Sequence, residues 1–486
     1  MSNLTNERSE KKLITGHIQA DVSAIHAYLS NTEDFKTQSL ATNIGACTLV
    51  YLESLAKKEF IQSHIILTLI DTEPSTIESL ATASGAKSSS ELYVIGQALL
   101  EGYCVVLFEN HAKAYLITAA QTHSRSIDEP SNEQIIKGSH EGFVESLSTN
   151  LYLLRYRIKS PQLKVKYLSL GTLTNTTVAM VYMEKLADPN IVKECEKRLQ
   201  SIHLEHLYST GEIDEMIEEH PLSPFPQTLH TERTDRAVSY LMEGKINILV
   251  DGNPMALVLP ITFFSFYQSP DDYNNRWITG SFYRLVRMIS FMLAISLPAI
   301  YIAIVSFHSE VLPPGILYSV KVSLTYVPFP PIVEAIAMQL ILELLKEAAI
   351  RLPSPIAQTI GIVGGLVIGT AVVEAHLVSH TMIVVIGLTA IASFTAPLNE
   401  FGTSLRILGF PTMIAAALFG FFGISMMMMV IFIHLCKIET LGVPFFAPFG
   451  PFRGRDGKKD IFLRLPVWKT GKAGNKQSFI QRWKLP

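Results

Sequence analysis

Charge nearly disappears from one long stretch of this chain. Residues 288–436 hold only ten charged side chains: Glu310, Lys321, Glu334, Glu343, Lys346, Glu347, Arg351, Glu374, Glu400 and Arg406. The other 73 of the 83 charges lie outside it. Over the whole chain 48% of residues are apolar and 17% charged, against about 25% charged in an ordinary soluble domain. That distribution excludes a plain soluble protein, a disordered one and a fully embedded one. It leaves a soluble region, a membrane block and a short tail.

Within the block, Met288–Phe307 has no charge over twenty residues, enough for ~30 Å of hydrocarbon. Further spans are expected at 356–373, 381–398 and 407–436. The last is long, and either a tilt or a break near Gly420 and Gly423 would accommodate it. In Pro331–Arg351, Gln339, Glu343, Lys346 and Glu347 fall on one helical face. This amphipathic helix either lies in the interface or turns its polar stripe toward a water-filled cavity. In the second span Ala357, Gly361, Gly365 and Gly369 recur every fourth residue, a small-residue seam against which another helix can pack. Gln358 and Thr359 add hydrogen-bonding groups beside it.

The net charge of −3 hides an asymmetry. Residues 437–486 carry eleven Lys or Arg against Glu439, Asp456 and Asp460. A basic tail after a span is expected on the cytoplasmic side, drawn to anionic membrane lipid. Its tether to the bilayer and its interleaved Phe445, Phe446, Phe449, Phe452 and Trp468 argue against nucleic acid. Four spans put the N-terminal region on the same side, as Arg276, Arg284 and Arg287 before the first span also require. Residues 1–16 contain no apolar signal-peptide core. Cys47, Cys104, Cys195 and Cys436 show no metal or disulfide spacing.

The soluble region repeats. Leu49–Ala56 is echoed by Met180–Ala187 at an offset of 131, and the run from Leu100 to Ile117 by Met242 to Leu259 at 142. An insertion of about eleven residues in the second copy follows from that difference. Thr177–Met183 reads as a strand, Asn190–Ile202 and Asp235–Met242 as helices, and Ile246–Val250 with Met255–Leu259 as a hairpin around Asp251-Gly252-Asn253-Pro254. The expected fold is an α/β cytoplasmic region of two similar subdomains followed by an α-helical multi-span membrane domain. Its parts are a frayed N-terminus (1–30), a first subdomain (31–128), a helical connector (129–162), a second subdomain (163–275), the membrane domain (276–436) and the basic tail (437–486).

Catalytic signatures are missing: there is no nucleophile elbow, Walker motif or HExxH, and no cofactor is called for. His203, Glu205 and His206 with Cys195 read as surface histidines near a helix end, not a metal site. Glu141 and Glu145 read as a solvated helix face, and Asp251 as a turn residue bonding its own backbone.

A family resemblance rests on Glu129-Pro130, Gly142-Phe143-Val144-Glu145-Ser146-Leu147, Thr149-Asn150, Ser223-Pro224-Phe225-Pro226, Thr231-Glu232-Arg233, Asp251-Gly252-Asn253-Pro254, Ser269-Pro270-Asp271-Asp272-Tyr273, Arg351-Leu352-Pro353 and Gln358-Thr359-Ile360-Gly361-Ile362-Val363-Gly364. In order and over residues 30–470, these resemble the A subunit of GerA-type spore germination receptors. The chain departs where Lys137-Gly138-Ser139 replaces the family's usual Arg-Gly-Pro and Thr234 its usual proline. The resemblance implies a non-enzymatic membrane subunit of a nutrient sensor in the spore inner membrane. Its implied partners are further copies of itself, a transporter-like B subunit that is the usual candidate for nutrient binding, and a lipoprotein C subunit. It also implies a part in a nutrient-gated cation pathway; the alternatives are a non-conducting scaffold and, against the absence of an inverted repeat, a secondary transporter.

Overall fold

The computed structural model describes residues 12–42, 45–71, 86–121, 129, 130, 133, 135, 137–448, 450 and 461–466. The soluble part is one α/β unit built twice. The first contains α1 (Ile18–Tyr28), β1 (Phe35–Thr42), β2 (Gly45–Leu52), α2 (Lys58–Phe60 continued by the π-helical Ile61–Ile66 and Leu67–Asp71), β3 (Lys87–Ser89), α3 (Leu92–Leu100), β4 (Tyr103–Phe108) and β5 (Ala114–Thr118). The second contains α4 (Leu147–Arg157), β6 (Leu163–Leu170), β7 (Thr176–Met183), α5 (Pro189–Gln200), α6 (Thr210–Ile217), β8 (Leu229–Thr231), α7 (Thr234–Met242), β9 (Ile246–Val250) and β10 (Ala256–Leu259). Their antiparallel sheets have the same order, β1-β2-β4-β5-β3 and β6-β7-β9-β10-β8. Among the described residues α6 has no counterpart in the first unit, and it lies where the offset widens.

Each sheet is covered on both faces, so the inner strands β2, β4, β7, β9 and β10 are buried along most of their length, while the edge strand β1 alternates between buried and more open positions. In the first unit Ile25, Ile95 and Leu99 cover Val50, Leu52 and Val105. Ile61, Ile65 and Leu69 cover Leu49, Tyr51 and Cys104. In the second unit α4 and α7 cover one face, and α5 and α6 the other. Two boundaries expected from sequence are corrected by this packing. Residues 18–28 are not frayed: Ile18, Val22, Ile25 and Leu29 follow a helical period, and Ile25 and Leu29 are buried. Among the described residues the connector is helical only over Leu147–Arg157, and that helix opens the second unit just as α1 opens the first.

Hydrogen bonds are duplicated with the fold. Glu109 Oε2 accepts the Ile18 N–H at 3.2 Å, and Asp251 Oδ1 accepts the Leu147 N–H at 3.1 Å. Each β-hairpin therefore caps the first helix of its own unit. Asp251 acts across 104 residues, not on its own turn. Asn110 N–H bonds Gly16 O, and Gly252 N–H bonds Glu145 O. Residues 137–146 are not helical, so Glu141 and Glu145 share no helix face; Glu141 instead pairs with Arg157.

The two units are joined by a buried ion pair. Arg155 of α4 donates from Nε and Nη2 to the two oxygens of Asp34, each at 2.6 Å. Ser54 donates to Asp34 at 2.6 Å and Thr32 at 2.5 Å. Burial opposes charge on Asp34; the Arg155 guanidinium and the two hydroxyls outweigh it and hold the carboxyl below its ordinary range. The chain around it also bridges, with Glu33 N–H bonding Val165 O at 3.0 Å.

The helical block comprises α8 (Pro270–Asn274), α9 (Trp277–Ser306), α10 (Pro314–Thr325), α11 (Pro331–Ile350), α12 (Ser354–Glu374), α13 (His380–Phe394) and α14 (Asn399–Lys437). Among the described residues α9 and α14 are long and apolar enough to cross a membrane. α14 is not straight. Gly420 leaves helical geometry at φ 60°, ψ −139°, and the Phe225 ring lies 6.2 Å from Phe401 and 6.3 Å from His434. Straight, those two residues would stand ~50 Å apart. The chain therefore folds back at Gly420 into two arms, 399–419 and 421–437. A Cβ at Gly423 would fall 2.0 Å from Ala415 O, which shows how closely the arms meet. The expected long span is thus two antiparallel segments.

The other helices run between the same two ends. Phe291 of α9, Ala392 of α13 and Phe401 lie at the end nearest the soluble units. Tyr301 of α9, Ala335 of α11, Met382 of α13 and Met413 lie at the far end. α11 runs the depth of the block, from Glu334 beside Ser379 at the far end to Glu343 beside Arg406, so it does not lie flat along an interface. α13 has 15 residues, ~22 Å of helix, shorter than the expected span at 381–398. Removing the cation that joins the soluble units strands a buried carboxylate. Arg155→Ala is expected to cost about 3–5 kcal/mol, read as a lower denaturant midpoint of the detergent-solubilised chain.

Candidate functional site

Two places in this fold collect polar chemistry. The first is a joint between the second soluble unit and the helical block. Residues 218–228 leave α6 and carry Phe225 into a nest of rings. Phe263, on the 3₁₀ turn Phe263–Phe266, sits at its centre, with ring centroids 6.1 Å from Phe225, 5.6 Å from Phe291, 5.6 Å from Phe401 and 6.1 Å from Phe445. The loop from the second soluble unit, the turn that follows β10, α9, the first arm of α14 and the chain beyond the second arm all meet there. Ser223 Oγ lies 2.8 Å from His434 Nε2, which ties the same loop to the second arm.

Beside the rings is a titratable cluster. His230 Nε2 lies 3.0 Å from Asp214 Oδ2, and the Gln227 N–H donates to Glu218 Oε1 at 3.1 Å. Burial, then the neighbouring Asp214 charge, pushes the Glu218 carboxyl up to about 7. Burial opposes charge on His230, but its hydrogen bond to Asp214 and the nearby Glu400 and Glu218 carboxylates outweigh it and raise its pKa. Glu400 belongs to the first turn of α14, so the cluster spans the junction.

Arginines expected merely to flank the first span are structural anchors. Arg284 and Arg287 both pair with the buried Asp272, which completes the capping box that starts α8. Arg464 Nη1 donates to Asn275 O at 2.5 Å and holds the described part of the tail against the same corner. Residues 451–460 and 467–486, which include Phe452 and Trp468, lie outside the described residues, as does Phe449.

The second place is inside the helical block, where the polar stripe of α11 divides. Gln339 is buried and donates to Glu343 Oε1 at 3.4 Å. Glu343 accepts from Arg406 Nε at 2.5 Å, and Arg406 Nη2 also donates to Thr403 at 2.9 Å. Lys346 Nζ lies 5.2 Å from the centre of the Phe394 ring. Glu347 points outward, pairing with Arg351 at the surface. Arg406 was visible in the sequence only as one of ten isolated charges; it supplies the counter-charge, since a buried charge left without its partner costs about 3–5 kcal/mol. Glu334 was another: fully buried, it accepts the Ser379 N–H at 2.8 Å and so caps α13 from across the block.

The small-residue seam faces away from its own bundle. A Cβ at Gly361, Gly365 or Gly369 would meet nothing within 4 Å. The glycine turned toward α11 is Gly364, where a Cβ would come 3.0 Å from Leu345. Thr359 is exposed; the side chains of Ala357 and Gln358 lie outside the described residues. Cys195 is a core residue whose thiol is pushed up to about 12 by burial, so it does not join His203 and His206. Among the described residues no group of three His, Cys, Asp or Glu is placed to hold a metal ion.

The family model of the Bacillus/Clostridium GerA spore germination protein matches residues 23–475. This chain belongs to that family. It is similar to the uncharacterized membrane protein YfkQ of Bacillus subtilis (strain 168), 36% identical with 98% of this chain and 95% of the relative covered. It is likewise similar to spore germination protein A1 of that organism, 40% identical over 78% of each chain. Spore germination protein B1, also from B. subtilis, is 37% identical, with 93% of this chain and 96% of the relative covered. Among solved structures, the N-terminal domain of the A subunit of the Bacillus megaterium spore germinant receptor GerK3 aligns with a TM-score of 0.41 at 23% identity, covering 52% of this chain and 98% of that one.

The raised pKa values of Glu218 and His230 give the expected pH dependence of this joint a defined sign. A carboxyl raised in the folded state stabilises fully below its ordinary value of 4.5 and loses that contribution as pH rises through about 7. His230, also raised, loses its contribution above its ordinary 6.5. Thermal stability in detergent is expected to fall across this window. Glu218→Gln should flatten the lower part of the fall; an unchanged profile would contradict the assignment.

Proposed function

We propose that this chain is the A subunit of a spore nutrient germinant receptor, and that copies of it assemble in the spore inner membrane around a nutrient-gated cation pathway. Membership of the germination family carries the first part. The second is carried by the open glycine face of α12: three helical turns of backbone lie bare on the outside of the bundle, positioned for close approach by another helix. A second copy of this chain is the partner that the seam fits. Neighbouring α11 would then bring its polar residues to the enclosed space.

Read as membrane passes, α9, α11, α12, α13 and the two arms of α14 number six. An even number keeps the N-terminal units and the basic tail on one side, the spore core, with the tail against anionic lipid. The transporter-like B subunit and the lipoprotein C subunit complete the receptor. Nutrient binding on a partner would reach the block through the ring nest, where the second soluble unit touches both arms of α14. Opening then requires differential contact of that partner with the closed and open arrangements. The ion pair Glu343–Arg406 neutralises the stripe in the closed state and ties α11 to α14.

A second reading, a non-conducting scaffold, has its own supporting observation. Gln339 and Glu343 are both engaged within one copy, as they would be in a purely structural block. Conductance of the purified chain in planar bilayers separates the two. The pathway reading expects a cation-selective current that Glu343→Lys shifts toward anions. Gly365→Leu should abolish both assembly and nutrient-triggered potassium release from spores. Normal release on the usual schedule from spores carrying Gly365→Leu would refute the seam.

A further inference from the structure

Residues 218–228 carry a second feature that the joint does not use. The loop is stiffened by Pro221, Pro224 and Pro226, which restrict its backbone. Phe225 is buried in the ring nest and Ser223 is bonded to His434, yet Leu222 between Pro221 and Ser223 is 98% exposed. A lone exposed leucine needs no explanation on an ordinary surface. This one is held one residue from the second arm of α14. The apolar run of that arm ends at Cys436 and its first charge is Lys437, so the arm leaves hydrocarbon within a turn of His434. Its outward side chains Met426, Met429, Val430 and Ile433 are all exposed in the single chain. Leu222 adjoins Ser223, which is bonded to His434 on the last turn of that arm, on the side of the second sheet nearest the block: β8 begins there, with Leu229 paired to Val258.

We propose that Leu222 is a membrane anchor: the proline-stiffened loop dips this side chain into the acyl–headgroup boundary, so the second soluble unit is seated on lipid as well as on helices. The partner is the bilayer surface itself, committed by continuity with the lipid-facing side of α14. This rests on the reading of α14 as a membrane helix. Two contacts, one aromatic and internal, one apolar and external, then fix the loop at the height of the headgroups. The acids beside it do not oppose this seat, because Glu219 is paired with Arg198 at 2.8 Å and Glu218 accepts the Gln227 N–H.

The test is depth-dependent quenching in the full chain reconstituted into nanodiscs. In a Cys436→Ser background the remaining cysteines, Cys47, Cys104 and Cys195, are buried, so a bimane label goes to one introduced thiol at a time. The sites are Leu222→Cys, Ile433→Cys on the outward face of α14, and Leu173→Cys. Leu173 lies on the β6–β7 turn, at the opposite end of the sheet from Leu229. Lipid carrying a nitroxide near the headgroup should quench the labels at 222 and 433 alike and spare that at 173, while aqueous iodide should do the reverse. If 433 is quenched by lipid but 222 only by iodide, the anchor is overturned and the membrane helix stands. If 222 is shielded from both quenchers, protein covers it and the proposal is equally overturned. If 433 itself escapes the lipid quencher, the crossing reading falls and takes the anchor with it.

Discussion

The second soluble unit and the helical block converge on the ring of Phe263. It is one side chain on a short turn, yet it touches Phe225 of the second soluble unit, Phe291 of α9, Phe401 of the first arm of α14 and Phe445 beyond the second. Aromatic pairs of this geometry each contribute about 0.5–1.5 kcal/mol beyond their buried area. The nest is therefore stiff, and it admits few alternative packings. A displacement of the soluble unit cannot be absorbed locally; it must be passed to α14 or resisted. That property makes the nest a suitable transmission point between the second soluble unit and the helical block.

Around this point the rest of the structure is arranged by charge. The soluble units are locked to each other by Asp34–Arg155, and α8 and α9 are set by Asp272 between two arginines. The helical block is cross-tied by Glu343–Arg406 and by Glu334 at the head of α13. Asp34–Arg155, Glu343–Arg406 and Glu334–Ser379 tie elements far apart in the chain, while Asp272 ties two consecutive helices. Buried ion pairs are poor sources of net stability but are sensitive to loss of one partner. They serve here to fix which elements are neighbours.

Much of this was legible in the residues. The β-branched runs, the hairpin around Asp251–Pro254 and the two offsets of the repeat foretold the α/β units, and the length of the last span left a choice between a tilt and a break near Gly420 and Gly423. The unit boundaries were harder. α1 is framed by His17, Gln19 and Asp21 and looks polar unless Ile18, Val22, Ile25 and Leu29 are counted together. α4 looked like a connector because its capping partner, Asp251, is more than a hundred residues away. The stripe on α11 divides between the block and the surface, because periodicity says nothing about which neighbour each residue meets. Arg406, which meets it, stands alone among apolar residues, and an isolated charge in such a run demands a counter-charge. The fold-back of α14 needed the shared contact of Phe225 with Phe401 and His434, invisible to any local pattern.

The open glycine face of α12 gives the account its central claim, that the single chain is one part of a ring. The mass of the purified chain solubilised in mild detergent, with bound detergent subtracted, tests this most directly. The account predicts a discrete assembly of several copies that closes without larger species. A single copy persisting at the concentrations of a membrane preparation would contradict it.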